Sequence, residues 1–283
     1  MHYDLHSHST ASDGTLAPAQ LVHRAAAQGV DVLALTDHDT TAGHEEAMSA
    51  ARETGIQLVP GVEISVTWGG ATVHIVGLHV DGRNPTLRTA LADIRKIRDT
   101  RAAAIAAKLE RLGVENALNK AQELAPGALV TRTHFGRLLV NEGLADSLGA
   151  AMKHYLLRGK AAYVGTQWVD LQEAVDWIRG AGGIAVIAHP ARYRFTAAKL
   201  RAMTQAFQEM GGQAMEVVSG SHGGADIQSM AAHCRRCGLH ASRGSDYHGP
   251  ENPWVELGRM QPLPEGLEPV WTLFPAHTAS QAA

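Results

Sequence analysis

The chain has 283 residues and a formal net charge of -3 at pH 7. This length allows one large α/β domain or one domain with a smaller insertion, and the charge excludes a global basic field that would attract nucleic acid. No apolar run is long enough to cross a bilayer, and the start of the chain has no apolar signal segment. The sequence therefore predicts a cytoplasmic protein with no membrane partner and indicates no obligate protein partner.

The first 85 residues alternate between apolar runs, which predict buried strands, and amphipathic segments, which predict helices. Gly69-Gly70 separates the last two of these strands and indicates a hairpin. The predicted strands cover residues 3–5, 30–36, 57–66 and 72–80, and the predicted helices cover residues 18–28 and 42–54.

From residue 84 to about residue 157 the pattern changes to almost continuous helix. Alternation then returns, with predicted helices at residues 171–181, 197–210 and 225–236 and predicted strands at residues 184–188, 214–218 and 240–243. Repeated strand–helix units predict a parallel sheet, either open or closed into a barrel. We therefore predict an α/β domain, open or closed into a barrel, from residues 1–85 and 163–283, and a helical insertion at residues 86–162 that caps it.

Histidine is unusually frequent, at 16 residues, whereas the chain has only two cysteines. Cys234 and Cys237 lie late in a predicted helix with no second pair to complete a zinc knuckle, which favours two reduced thiols. Many histidines suit either a pH-sensitive protein or a metal protein, so their positions must decide between these classes.

Histidines and carboxylates lie in, or directly after, nearly every predicted strand. Alternate residues of an extended chain share a face, so His6 and His8 would lie side by side, a spacing that suits one metal ion. Because the carboxyl ends of parallel strands converge at one face of a barrel, we expect these residues to meet there. The candidates are His6, His8, Asp13, His38, Glu63, His74, His189, Asp246 and His248.

The composition of this set indicates which ions it could hold. Mixed imidazole and carboxylate ligands suit Mn²⁺, Zn²⁺ or Fe²⁺ and exclude a thiolate site, and nine ligands are too many for one ion. One histidine at a strand end is usually an ordinary core or surface residue, but repetition in apolar sequence would be costly without a function. The sequence therefore predicts two or three divalent ions per chain. Asp37 or Asp39 is expected to orient His38, and Asp4 to orient His6.

Five motifs resemble, in chain order, those of the PHP (polymerase and histidinol phosphatase) family. They are Asp4-Leu5-His6-Ser7-His8-Ser9, Thr36-Asp37-His38-Asp39, Gly61-Val62-Glu63, Ala188-His189-Pro190 and Gly244-Ser245-Asp246-Tyr247-His248. The resemblance implies a distorted (β/α)7 barrel with three ions, held by His6, His8, Glu63 and Asp246, by Asp13, His38 and His248, and by Glu63 as a bridge with His74 and His189. Asp13 stands where some relatives have histidine, which should favour a harder ion such as Mn²⁺.

The helical insertion resembles that of the bacterial 3′,5′-nucleoside bisphosphate phosphatases of this family. This implies a phosphoric monoester hydrolase that removes the 3′-phosphate to leave a nucleoside 5′-monophosphate, using a hydroxide that bridges two ions. Similar proteins also act on the 5′ ends of short RNA. Two alternatives stay open: a phosphatase of another small monoester, such as AMP or histidinol phosphate, and a non-catalytic module that metal ions stabilise.

The predicted substrate contacts lie mainly in the insertion. Arg132 and His134 lie at a predicted helix start, where backbone N–H groups favour anions, and Phe135 is the candidate to stack a base. Arg192 follows a predicted ligand and is the candidate to clamp a phosphate. Arg101 is also a candidate contact. Three arginines are the most readily explained as solvated surface residues, namely Arg98, Arg101 and Arg137.

Overall fold

The computed structural model describes residues 1–275, which form seven strands and nine α-helices. The strands are β1 (Tyr3–Asp4), β2 (Val32–Leu35), β3 (Gln57–Trp68), β4 (Ala71–Leu78), β5 (Ile184–Ile187), β6 (Ala214–Ser219) and β7 (His240–Gly244). The helices are α1 (Pro18–Ala27), α2 (His44–Thr54), α3 (Pro85–Glu110), α4 (Ala117–Glu123), α5 (Arg132–Asn141), α6 (Leu148–Ala151), α7 (Leu171–Gly180), α8 (Ala197–Glu209) and α9 (Gly224–Cys237).

The seven strands form one sheet in chain order, curled into a nearly closed barrel. The backbone N–H of Leu5 donates to the carbonyl of Arg243 (3.0 Å), and the N–H of His8 donates to the carbonyl of Tyr247 (2.9 Å), which brings the last strand against the first. The predicted α/β barrel is confirmed. All neighbours are parallel except β4, which the hairpin at Gly69-Gly70 reverses against both β3 and β5.

The barrel strands are buried on both faces, which explains their continuous apolar runs. Along β2, Val32 and Ala34 belong to one apolar cluster with residues of the opposite strand β5. Leu33 and Leu35 belong to a different cluster, which includes residues of α1 and α2. The first cluster fills the inside of the barrel, and the second joins the barrel to its outer helices.

The long helix α3 belongs to two packing units. Leu87 and Ile94 in its first half join the apolar core between the barrel and α7. Ile105 and Leu109 in its second half join a separate core with α4 and α5. The separate core lies within the predicted insertion, whose boundaries at residues 86 and 162 stay predictions. Residues 276–283 of the predicted barrel segment lie outside the described residues.

Two further expectations concern the cysteines and membrane-spanning helices. Cys234 and Cys237 are free cysteines, as predicted, and the thiol of Cys234 donates to the carbonyl of Leu239 (3.0 Å). Within residues 1–275, none of the helices has both the length and the apolar character needed to cross a bilayer. The cytoplasmic location stays a prediction.

Candidate metal centre

Glu63, in the middle of β3, lies at the centre of the predicted ligand cluster and is fully buried. Its Oε2 atom lies 3.3 Å from Nε2 of His6 and 3.3 Å from Nε2 of His8. The same oxygen lies 2.9 Å from Nδ1 of His38, which follows β2 and forms a parallel bridge with Glu63. One carboxylate oxygen thus faces histidines from two other parts of the barrel rim.

The second oxygen of Glu63 faces the other side of the cluster. Its Oε1 atom lies 2.9 Å from Nδ1 of His74 and 3.0 Å from Nε2 of His189. His74 does not follow a strand end but lies in the amino-terminal half of the antiparallel β4. Reversal of β4 brings that half to the rim where β5 ends.

Two aspartates complete the cluster. Oδ1 of Asp246 lies 3.5 Å from Nε2 of His6 and 3.3 Å from Nε2 of His8. Oδ1 of Asp13 lies 3.4 Å from Nε2 of His248. All nine predicted ligands therefore meet at one end of the barrel.

The donor atoms form three overlapping groups in which all atoms lie within 4.8 Å of one another. The groups are His6, His8, Glu63 and Asp246; His8, Asp13, His38 and His248; and His38, Glu63 and His74. They overlap the three sets of ligands that the family resemblance implies, although His189 lies outside them. Assignment of particular residues to particular ions stays a prediction.

Hydrogen bonds at the Nδ1 atoms of two imidazole rings turn the Nε2 atoms of these rings toward the cluster. Nδ1 of His6 is 2.6 Å from Oε1 of Glu216, and Nδ1 of His248 is 2.8 Å from the carbonyl of Asp246. Carboxylate and carbonyl oxygens accept hydrogen bonds, so each Nδ1 carries a hydrogen and each Nε2 faces the cluster.

Glu216 is a functional residue that the sequence reasoning missed. It is buried in β6, and its second oxygen accepts a hydrogen bond from the backbone N–H of His189 (2.5 Å). One carboxylate thus contacts two predicted ligands, one in the segment after β1 and one in the segment after β5. The available signal was a lone glutamate in an otherwise apolar strand, which would be costly to bury without partners.

Several buried polar atoms of the cluster have no hydrogen-bond partner among the described residues. Nδ1 of His38 and Oε2 of Glu63 are 2.9 Å apart, yet neither makes a hydrogen bond. Oδ1 of Asp13 is likewise buried without a partner. Nitrogen and oxygen atoms that lie this close without forming a hydrogen bond are expected where both point at a shared cation. The donor set therefore fits divalent ions with mixed nitrogen and oxygen coordination.

The charges of the cluster shift its pKa values in opposite directions. Burial would raise the pKa of Glu63, but the imidazoles of His38, His74 and His6 outweigh it and hold that pKa well below its usual value. Burial would lower the pKa of His8, but the nearby carboxylates of Asp246 and Glu63 raise it to about 10. The carboxylates are thus ionised at neutral pH and offer negative charge to a cation.

Three non-glycine residues of the rim adopt positive φ angles, namely Asp39 (49°), His189 (28°) and Asp246 (56°). Such conformations cost on the order of 1–3 kcal/mol each and persist where the surroundings enforce them. His189 and Asp246 each lie two residues after a strand end, where the chain turns and their side chains enter the cluster.

The aspartates expected to orient His38 and His6 have other partners. Asp37 accepts hydrogen bonds from the backbone N–H of Ser9 (2.8 Å) and from the hydroxyls of Ser9 (2.7 Å) and Ser12 (2.6 Å). It therefore holds the loop after β1 rather than the ring of His38. Asp4 accepts from the backbone N–H groups of Ser245 (2.8 Å) and Gly258 (2.9 Å), and its expected role is taken by Glu216.

The expectation that Arg98 is a surface residue is wrong. Its side chain is buried beneath the helical cap, and its Nε donates to Oδ2 of Asp39 (2.7 Å). Its Nη2 donates to the hydroxyl of Ser65 (2.9 Å). Asp39 also accepts from the backbone N–H of Ser65 (2.8 Å). This ion pair fastens α3 to the barrel beside His38. Arg137 pairs instead with Glu251.

Three other arginines interact with the cluster or with one another. Nη1 of Arg192 donates to Oδ2 of Asp246 (2.8 Å). Burial and the nearby charge of Arg192 lower the pKa of Arg132. Burial and the charges of Arg132 and Arg98 lower the pKa of Arg101 to about 9, and its Nε is buried without a hydrogen-bond partner. Crowded guanidinium groups with an unpaired donor are suited to bind an anion.

The structure contradicts two predicted substrate contacts. Phe135 is fully buried in the core of the helical cap, so a base cannot stack on it. His134 is also buried, and its Nδ1 accepts from the backbone N–H of Thr131 (3.0 Å). Its ring thereby closes the first turn of α5. Both side chains are buried because α5 packs among α3, α4 and α6, which the local sequence does not reveal.

Thr131, which precedes α5, links the cap directly to the metal centre. Its hydroxyl accepts from the backbone N–H of Thr133 (3.1 Å) and donates to Oδ2 of Asp13 (3.0 Å). This bond occupies one oxygen of Asp13 and leaves Oδ1 facing His248 and His38. Asp13 is thereby set up to offer a single oxygen to a cation.

Replacing Thr131 with valine keeps the side-chain shape but removes the helix cap and the donor to Asp13. We expect the free energy of unfolding to fall by about 1–2 kcal/mol and the affinity for divalent ions to fall about 10- to 100-fold. Urea denaturation and metal titration measure these effects, with Thr131→Ser as the control that keeps the hydroxyl. Unchanged metal affinity in Thr131→Val would show that Asp13 needs no such support.

Comparison with known proteins places the chain among phosphoesterases. It is 46% identical to a 5′-3′ exoribonuclease of Haemophilus influenzae over 96% of this chain and 98% of the relative. It is 46% identical to the 5′-3′ exoribonuclease Rnm of Escherichia coli over 96% and 93% of the two chains. A 3′,5′-nucleoside bisphosphate phosphatase of Chromobacterium violaceum is 44% identical over 95% and 94%. The prediction of a hydrolase that cleaves phosphate esters is confirmed.

Solved structures agree with this placement. An amidohydrolase of Chromobacterium violaceum, with bound sulfate and no metal, superimposes with a TM-score of 0.92 at 44% identity over 96% of this chain and 95% of the other. A protein of Bifidobacterium adolescentis, proposed to be a metal-dependent phosphoesterase, superimposes with a TM-score of 0.80 at 27% identity over 96% and 93%. The PHP domain model matches residues 4–214. The chain therefore belongs to the PHP domain family.

Proposed function

We propose that this protein is a metal-dependent phosphatase that removes the 3′-phosphate of nucleoside 3′,5′-bisphosphates and releases nucleoside 5′-monophosphates. The observation that carries the proposal is the position of three mutually close arginines, Arg101, Arg132 and Arg192, beside nine converging metal ligands. Divalent ions, when bound, supply positive charge to the phosphate oxygens and make water a better nucleophile. The similar phosphatase of Chromobacterium violaceum supports this choice of substrate.

Each ligand has a distinct task in the proposed reaction. Glu63 would contribute both of its oxygens to ion binding, since each oxygen faces a different group of histidines. Glu216 keeps the proton of His6 on Nδ1 and so keeps Nε2 available as a ligand. The oxygen ligands of Asp13, Glu63 and Asp246 favour a hard ion, so we propose Mn²⁺ as the preferred cofactor over Zn²⁺ or Fe²⁺.

The arginines explain a preference for a substrate with two phosphates. Arg192 lies against Asp246 at the cluster and would contact the phosphate that is cleaved. Arg101 lines an open cavity of about 390 Å³ between α3 and residues 164–167, away from any carboxylate partner among the described residues. Arg101 and Arg132 together would hold the second phosphate, the one that stays on the product.

The deciding experiment is phosphate release by the purified protein with Mn²⁺, Zn²⁺ or Fe²⁺. The substrates are adenosine 3′,5′-bisphosphate, AMP, histidinol phosphate and short 5′-phosphorylated RNA. We expect adenosine 3′,5′-bisphosphate to have the highest kcat/KM among the phosphate monoesters, with 5′-AMP as product. A higher kcat/KM on histidinol phosphate would reject the nucleotide assignment. Absence of turnover in metal-loaded protein would favour a non-catalytic module.

Arg101→Met tests the second-phosphate role in the same assay. We expect KM for the bisphosphate to rise about tenfold or more with little change in kcat, because the variant loses a charge-assisted contact made before and during the reaction. Arg95→Met, a substitution on the exposed side of the same helix, is the control. An equal effect on substrates with one phosphate would contradict the assignment.

A second candidate function is 5′-3′ exoribonuclease activity on short RNA. Two relatives with 46% identity over almost their full length carry that name. The same metal ligands would serve either reaction, because both cleave a phosphate ester. The RNA substrate in the assay above distinguishes the two activities through the products, which are nucleotides in one case and inorganic phosphate in the other.

A further inference from the structure

A cavity of about 160 Å³ lies at the carboxyl ends of β6 and β7, and none of the predicted ligands lines it. Its lining includes Ser219 and His222 after β6, Ser245 after β7, and Trp254. Ser245 directly precedes the predicted ligand Asp246. The cavity is therefore next to the metal centre along the barrel rim.

Trp254 is 92% exposed, whereas the next most exposed large apolar side chain after Met1 is Leu112, at 45%. An indole that lies wholly in water offers a flat apolar face and a polar edge to a ligand. Exposed tryptophan of this kind is suited to stack on a nucleobase, since every base has a planar face.

The segment that carries Trp254 is anchored on both sides. Before it, Glu251 accepts from Nε of Arg137 (3.0 Å) on α5. After it, Glu256 accepts from Nε of Arg24 (3.0 Å) on α1. Two ion pairs thus hold the segment that carries the indole at the rim. The arginine of one pair lies in the helical cap.

His222 provides a polar atom in the wall of the cavity. Its side chain is only 9% exposed, and its Nδ1 donates to the carbonyl of Val217 (3.0 Å). Because a carbonyl oxygen can only accept, Nδ1 carries the hydrogen and Nε2 is an acceptor. That Nε2 is buried without a hydrogen-bond partner among the described residues. An amino group of a ligand would satisfy it.

We propose that Trp254 and this cavity bind a nucleobase of single-stranded RNA, one nucleotide beyond the one held at the metal centre. Trp254 stacks on the base, Nε2 of His222 accepts from an exocyclic amino group, and the exposed guanidinium of Arg259 at the cavity edge attracts the RNA backbone. The inference rests on the proposed function, because it assumes that a nucleotide occupies the centre. It explains how one centre could serve both a mononucleotide and an RNA chain.

The test compares Trp254→Ala and Trp254→Phe with the unaltered protein on short 5′-phosphorylated RNA and on adenosine 3′,5′-bisphosphate. We expect Trp254→Ala to lower kcat/KM on RNA about 10- to 100-fold and to change it less than about threefold on the bisphosphate. Trp254→Phe should retain most of the activity on RNA, because it keeps an aromatic face. Leu112→Ala, which removes another exposed apolar side chain, is the matched control.

RNA affinity, measured by fluorescence anisotropy of a labelled 5′-phosphorylated oligonucleotide, gives a readout besides turnover. We expect Trp254→Ala to weaken RNA binding by a similar factor, whereas the mononucleotide should compete equally well with either protein. Equal losses on both substrates, or unchanged RNA affinity, would overturn the RNA site. Lack of phosphatase activity in the unaltered protein would reject the proposed function instead, and the affinity difference would still decide the role of Trp254.

Discussion

Glu63→Gln should lower kcat for phosphate release about a thousandfold or more and remove more than one bound ion per chain. Glutamine has the same shape but lacks the charge, and its amide nitrogen cannot bind a cation. Both oxygens of Glu63 face histidines, at 2.9 Å on each side, so one substitution disturbs two sides of the cluster. Bound metal ions contribute several kcal/mol of transition-state stabilisation. Loss of that contribution accounts for the expected fall in kcat.

Metal analysis of the purified variant, alongside single-turnover kinetics, measures this prediction. Glu53→Gln is the control, because Glu53 is a largely exposed carboxylate that lies near His23 on the outer surface. Circular dichroism establishes that the variant remains folded. Loss of only one ion with full activity would show that Glu63 does not bridge.

Arg98→Met should lower the free energy of unfolding by about 3–5 kcal/mol. Its guanidinium is buried with Asp39, and removal of one partner leaves the other charge buried without compensation. The guanidinium also lies 5.0 Å from the ring centre of Trp168, so packing at the base of the cap is lost as well. The expected result is a large loss of stability from a residue outside the ligand set.

Chemical denaturation of metal-free protein measures that loss independently of ion binding. Arg88→Met, at an exposed position of the same helix, should cost less than about 0.5 kcal/mol. The double variant Arg98→Met with Asp39→Asn should recover part of the stability, because it also removes the uncompensated charge. Equal stability of Arg98→Met and Arg88→Met would mean that water reaches the pair and screens it.

The ligand cluster could be predicted from sequence because its positions follow a simple rule of the fold. Residues at successive strand ends converge in a barrel, so local strand patterns were enough to bring His6 and His189 together. His74 lies in the cluster for a different reason, because β4 runs antiparallel to its neighbours. The hairpin was visible at Gly69-Gly70, but its consequence for the direction of His74 needed the pairing of β4 with β5.

The supporting residues could not be predicted because they depend on contacts between distant segments. Glu216 meets His6 across 210 positions of sequence, and Arg98 meets Asp39 across 59. Phe135 is aromatic and could in principle stack on a base, yet packing between the helices of the cap buries it. Local patterns report which face of an element is apolar, but not which neighbour covers that face.

The pairing of β4 with β5 has a consequence for how enzymes of this architecture can diversify. Ile75 pairs with Ile187, so the ladder itself fixes the spacing between His74 and His189, whatever chain connects the two strands. The entire helical cap lies in that connection. Evolution, or a designer, can therefore lengthen, shorten or exchange the cap and change the accepted substrate while the ligand geometry is inherited intact.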